Sequence, residues 1–215
     1  VAASLWYGFL MAMVIFIWPA MGPMSMADGV LWALAITISL LVHEFGHAFV
    51  AKRYRLSPSI MLHAFGGYCA HQEAATDGEE AKIVFAGPLA GLALAGILTL
   101  ISFFLPGFVH SSPVILSLFQ TLIWLNIVWS LINLLAPIWP LDGGKLFHLF
   151  LRRVTTEDKA QRITLQASIF ILVPAGNLGF GVFRRFFIAI FALFVVMGTW
   201  HALQTGRPLV QRRGD

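Results

Sequence analysis

The sequence predicts an all-α polytopic membrane protein, with about six transmembrane helices and a small re-entrant β-hairpin. Three observations carry that expectation. Of 215 residues, 59% are hydrophobic and only 11% charged, against about 25% charged in soluble domains. The mean hydropathy is +0.83. Long apolar runs recur along the chain, and short segments between them carry most of the Lys and Arg. The net charge of +4 sits in clusters, which read as orientation signals rather than a nucleic-acid-binding face. The single cysteine, Cys69, excludes an internal disulfide.

The first run, Leu5 to Pro19, is short for a span. With no charged leader or cleavage site before it, it reads as a membrane segment, not a signal peptide. Asp28 caps a second run, Gly29 to Ala51, which would be about 33 Å long as a helix. Lys52, Arg53 and Arg55 follow at once, and basic residues at a membrane exit point to the cytoplasm. Ser57 to Gln72 differs in kind. Pro58 breaks any helix, and Gly66-Gly67 separates two short runs, so a hairpin turning at the glycine pair is expected. Its apolar residues suit a dip back toward the chemical site, against protein or a wet cavity. An ordinary loop packing on the helices is the alternative.

Ile83 to Leu105 is the third span, opened by Gly87-Pro88-Leu89-Ala90-Gly91, whose small residues let another helix come close. Pro106 to Pro113 is an uncharged turn on the non-cytoplasmic side, and Val114 to Ala136 is the fourth span. Lys145, Arg152, Arg153, Lys159 and Arg162 form a second cytoplasmic segment. Ile163 to Val173 and Gly179 to Leu203 are the last apolar runs, with a turn at Pro174-Ala175-Gly176-Asn177 between them. The whole, 1–215, reads as one membrane-embedded domain with its chemical core at 29–150.

Two stretches carry chemistry. His43-Glu44-Phe45-Gly46-His47 lies in the last third of the second run. On a helix, residues four apart share a face, so His43 and His47 stand side by side, spaced to grip one metal ion. Glu44 can reach a water on that metal as general base. Metal binding without catalysis, or a polar stripe between helices, would use the same residues. Ionisable groups at membrane depth are costly, which favours a functional reading. The second stretch is Asn133 to Lys145. Pro137 and Pro140 interrupt the helix, and Asp142 is a lone carboxylate in an apolar setting, followed by Gly143-Gly144. Asp142 is the best candidate for a third ligand. It also suits a helix N-cap, and the two roles are compatible. The glycine pair would let its backbone approach the histidine helix.

With both stretches in place, the chain resembles the site-2 protease family of intramembrane zinc metalloproteases. His43–His47, Leu141-Asp142-Gly143, Phe65-Gly66-Gly67 and Gly87-Pro88 carry the resemblance. It implies one zinc ion per chain held by His43, His47 and Asp142, with Glu44 as catalytic base. It implies that Asn133, Gly66 and Gly67 meet the substrate, a transmembrane segment of another membrane protein. It implies a multi-pass protein of the cell membrane with its active site toward the cytoplasmic side. The spacing from Asn133 to Asp142 is one residue longer than the family pattern. The sequence reads as a short form lacking the family's PDZ and CBS domains. His63 and His71 are expected as polar hairpin positions, and His110, His148 and His201 at membrane edges. A membrane zinc transporter and a non-catalytic scaffold are the rival readings; the first leaves Glu44 unexplained, and the complete His-Glu-x-x-His with Asp142 argues against the second.

Overall fold

The computed structural model describes residues 1–17, 25–63 and 66–178. The expected last span, Gly179 to Leu203, lies outside these. The elements, in order, are β1 (Ala2–Ala3), α1 (Leu5–Ala12), a π-helical turn (Met13–Ile17), α2 (Met26–Arg53), β2 (Ser59–His63) and β3 (Gly66–Ala70). Then come α3 (Asp77–Phe104), α4 (Pro106–Val109), α5 (Pro113–Leu135), α6 (Asp142–Arg152) and α7 (Glu157–Leu178). Among the described residues, α2, α3 and α5 are long and apolar enough to cross a membrane. The apolar helix from Leu5 to Phe16 is shorter. The chain is a mostly helical membrane protein with a small three-stranded sheet.

The chain clusters into two compact units, the first formed by Val1–Gln72 and Ala86–Ser130. There, α2 does not start at Asp28. Ser25 is its cap: the Ser25 hydroxyl accepts from the Asp28 N–H, and the Asp28 carboxylate accepts from the Ser25 N–H. This capping box satisfies two amide donors that the first turn would leave bare. Lys52 and Arg53 close the helix, where positive charge suits the carbonyl end. Tyr7, Leu40, Ile60 and Leu62 form one core cluster, and Ala35, Leu98 and Leu122 another. In β2 the burial alternates, with Ile60 and Leu62 turned inward.

The sheet has the order β1-β2-β3, with β1 parallel to β2 and β3 antiparallel to it. The register runs from Ser59↔Ala70 to His63↔Gly66. The hairpin therefore does not turn at the glycine pair. Gly66 and Gly67 begin β3, and the connecting residues 64 and 65 lie outside the described ones. Gly66 has φ +137°, a backbone state that side chains disfavour. Gly67 answers a different need, met below. The strand β1 was not expected. Two alanines carry no pattern of their own, and only pairing with Met61 and Leu62 defines them.

The second unit comprises Glu73–Phe85 and the chain from Leu131 onward. Asp77, Glu79 and Glu80 occupy the first turn of α3, so the polar stretch ahead of Ile83 leads the same helix. Pro88 is inside the helix rather than at its start. The turn before α6 is held by the Trp139 N–H, which donates to Ser168 Oγ at 2.8 Å. Ile138 and Leu172 pack there, with Ala136 and Leu141 against them. The turn expected at Pro174 to Asn177 is absent, since α7 runs on to Leu178. His148 is more than a polar edge position. It is fully buried, and its Nε2 lies 3.2 Å from Glu157. Arg152 pairs with the same carboxylate at 2.7 Å and with Asp77 at 3.7 Å. A single histidine gives no periodic signal, and its partner Glu157 is on the next helix, so local reading missed its burial.

Candidate functional site

In the first unit, one face of α2 holds His43, Glu44 and His47, all buried. The imidazoles meet edge to face, with their Nε2 atoms 3.2 Å apart. Two nitrogens bound to one tetrahedral zinc, each at about 2.0–2.1 Å, stand about 3.3 Å apart. The pair thus has the span of one edge of a zinc tetrahedron, and the donor set fits this metal.

Bare backbone surrounds that face. A Cβ added at Gly87 would fall on the ring of His47, and one added at Gly67 would fall on the Glu44 carboxylate. Gly67 is therefore a close-approach glycine, which places β3 directly over Glu44. A Cβ added at Gly46 would strike the carbonyl of Ala86 and come within 2.8 Å of Ala90 Cβ. So Gly46, inside the motif, is where α2 and α3 touch. Gly66 meets nothing within 4 Å. Its role is conformational.

In the second unit, Asp142 is buried as the first residue of α6, and Leu141 is the cap. The expected N-cap role of Asp142 is thus taken by its neighbour. Asn133 binds the aspartate twice. Its Nδ2 donates to Asp142 Oδ2 at 2.9 Å, and its Oδ1 accepts from the Asp142 N–H at 3.3 Å. Lys145 stands 3.6 Å from Asp142 Oδ1. A hydrogen bond to a charged group contributes about 1.5–3 kcal/mol, so the amide both orients and stabilises the carboxylate. The extra residue between the two does not separate them. Gly143 and Gly144 make room for the preceding turn: added Cβ atoms would strike the backbone of Leu134, Ala136 and Ile138.

The sequence placed His43, Glu44, His47, Asn133 and Asp142 in functional roles. The structure brings His43 to His47, Gly67 to Glu44 and Asn133 to Asp142. Sequence reasoning missed Gly87 as a neighbour of His47, and it missed a buried polar group at Ser39, Asn126 and Ser130. Ser39 lies one turn before His43, a spacing that could have drawn notice.

The model of peptidase family M50 matches residues 31–115 and 109–175. Rip3 of Mycobacterium tuberculosis is 39% identical over 123 residues, covering 56% of this chain and 31% of that protein. Zinc metalloprotease MJ0392 of Methanocaldococcus jannaschii is 29% identical over 144 residues, covering 65% and 41%. Stage IV sporulation protein FB of Bacillus subtilis is 32% identical over 143 residues, covering 63% and 46%. The chain thus spans less than half the length of these relatives. The solved site-2 protease from Methanocaldococcus jannaschii shares the fold, with a TM-score of 0.69 at 21% identity, over 94% of this chain and 89% of that one.

Proposed function

The chain belongs to peptidase family M50, and from that premise we propose that it is an intramembrane zinc metalloprotease. It would cut a peptide bond within the transmembrane segment of another membrane protein. The carrying observation is the buried His43–His47 pair, 3.2 Å apart at Nε2, with Glu44 between them under Gly67. His43, His47 and Asp142 would hold the metal. Each is buried and offers one ligand atom. Zinc bound there supplies Lewis-acid polarisation of a carbonyl and acidifies water. Glu44 takes the proton from the attacking water and returns it to the leaving amine. Burial of Glu44 keeps that carboxylate out of bulk solvent, and Asn133 keeps Asp142 in one orientation.

The hairpin provides a place for the substrate. Leu62 turns its carbonyl toward β1, where the Ser4 N–H donates to it. Leu62 pairs with Gly67, so the Gly67 backbone faces away from β2, toward the outer edge of the sheet. An unwound substrate segment added along β3 would lie beside Glu44. Gly66 and Gly67 act here through the backbone, and Asn133 through Asp142.

The six-span arrangement, the single domain with its core at 29–150 and the cell-membrane setting belong to the same proposal. Lys52 to Lys82 and Lys145 to Arg162 would face the cytoplasm, and Pro106 to Pro113 the other side. His43 and His47 then lie about 6–12 Å inside the cytoplasmic boundary. The cut would fall in the cytoplasmic third of the substrate's span.

The test is co-expression of the parent and Glu44→Gln with a tagged single-span protein whose cytoplasmic end carries helix-weakening Asn-Gly. Mass spectrometry reads the products. The parent should cut within the cytoplasmic third, and Glu44→Gln should not cut. Cleavage undiminished in the variant would sink the mechanism, and a scissile bond at the midplane would sink the orientation.

A further inference from the structure

We propose that Asn126 is a positioning residue for the histidine helix. Through Ser39 it fixes the rotation of α2 about its axis, and with it the aim of His43 and His47. This rests on the reading that the pair holds zinc.

The residues concerned all lie in the first unit. The side-chain amide of Asn126, on α5, donates to Ser39 Oγ at 2.9 Å and to the Leu122 carbonyl at 2.8 Å. Asn126, Ser39 and Ser130 are all buried. On α3, an added Cβ at Gly91 would fall on Ser130 Oγ and come within 3.3 Å of Asn126 Oδ1. Three helices therefore meet around one amide, two hydroxyls and one bare backbone position. The surrounding contacts are apolar: Ala35, Leu98 and Leu122, with Ile38, Leu94 and Leu118 against them.

Apolar side chains let helices roll against each other at small cost, since no contact is directional. A hydrogen bond is directional, and inside a membrane span its donor has no water to turn to. The bond to Ser39 is thus the contact in this cluster that selects one rotation. Ser39 precedes His43 by one turn and shares its face. An imidazole Nε2 stands about 6–7 Å from the helix axis, so a roll of about 10° displaces it by about 1 Å. Little slack exists to absorb such a shift, because Gly87 touches the His47 ring and Gly67 touches Glu44.

Polar glue between helices would be the plainer role. The two differ in what they change. Glue alters the stability of the fold, whereas a rotational stop alters the metal affinity of molecules that have folded.

Ser39→Thr and Ser39→Val separate them. The two variants have the same shape, and only threonine keeps the oxygen that accepts from Asn126. Zinc affinity of the purified full chain in detergent is read by competition with a chelator, beside the melting temperature of the metal-free protein. Ser39→Val and Asn126→Leu should bind zinc about tenfold more weakly than Ser39→Thr, the low end of effects from residues behind metal ligands. Equal zinc affinity in Ser39→Val and Ser39→Thr overturns the proposal, whatever the melting temperatures do. Should Asn126→Leu fail to fold, the Ser39 pair decides alone. A parent chain that binds no zinc would bring down the metal reading itself, a result distinct from equal affinities in the pair.

Discussion

His43 and His47 ride on a long helix, whereas Asp142 rides on the first residue after a turn. Both places are buried, and as the proposed zinc ligands both would need a donor atom held still. On α2 the hydrogen-bond ladder does that work, since two residues four apart cannot leave one face. What remains open is each ring's own direction, and Gly87 closes that for His47 by contact. Before α6 no ladder exists. Asp142 is held by one amide, Asn133, which donates to its carboxylate and accepts from its backbone N–H, and by a turn tied down through Trp139 and Ser168. The difference teaches where each is fragile. The helix-borne pair fails when something pushes on it, and the turn-borne carboxylate fails when something lets go.

The largest effects should come from the helix. Glu44→Gln keeps the shape but cannot take a proton, so turnover should fall by about 10²–10⁴-fold or more while zinc stays bound. Retained turnover with retained zinc would assign the base elsewhere. His43→Ala and His47→Ala should each take zinc from one per chain to nearly none, read by elemental analysis after desalting. Full metal content in both would refute the pair as ligands.

Pushing comes next. Gly67→Ala places a methyl group on Glu44 and should cost about 10²-fold in turnover, the scale of a 1 Å misplacement. Zinc content should not change. A parallel loss of zinc would mean that β3 presses on the ligands and not on the base alone. Letting go should be milder. Asn133→Leu leaves Asp142 without its amide and should weaken zinc about 10–100-fold by chelator competition. Unchanged affinity would show that the turn alone suffices, and the contrast between the two regions would collapse.

The smallest effect concerns His148. Burial, the strongest influence, pushes its imidazole below the ordinary 6.5; Glu157 opposes this and Arg152 reinforces it. The unfolded chain takes up a proton as pH falls through about 6.5, while the folded chain resists. Stability is therefore lost on the acid side of that value. The melting temperature of the metal-free protein should drop between about pH 7.5 and 5.5, and drop less in His148→Gln. Identical slopes in the two proteins would remove His148 from the account.

What could be read from the sequence follows the same division. His43, Glu44 and His47 were legible because a helix converts spacing into direction without help from the rest of the chain. Asp142 was legible as a lone carboxylate among apolar residues, although its hold on Asn133 was not, since a turn of unknown shape lies between them. The hairpin was legible as two short runs, but its turn was misplaced. Glycine usually marks a turn, and Gly67 is needed instead for contact with Glu44, a residue more than twenty positions away. The cap at Ser25 lost to the more prominent Asp28, which turned out to be the other half of the same box. Asn126 and Ser39 were passed over because their bond joins residues 87 positions apart, and the burial of His148 against Glu157 depends on how two successive helices pack.

Gly46 gives the motif a meaning that its usual spelling hides. Written as His-Glu-x-x-His, the word treats positions 45 and 46 as equally open. Phe45 is half exposed and should accept other apolar letters. Gly46 lies where an added methyl group would enter the backbone of α3 at Ala86, so it should accept none. The unspecified half of the word therefore carries nearly as much information as one of its histidines. A saturation library at the two positions, scored by zinc retention, would show a broad alphabet at one and a single letter at the other.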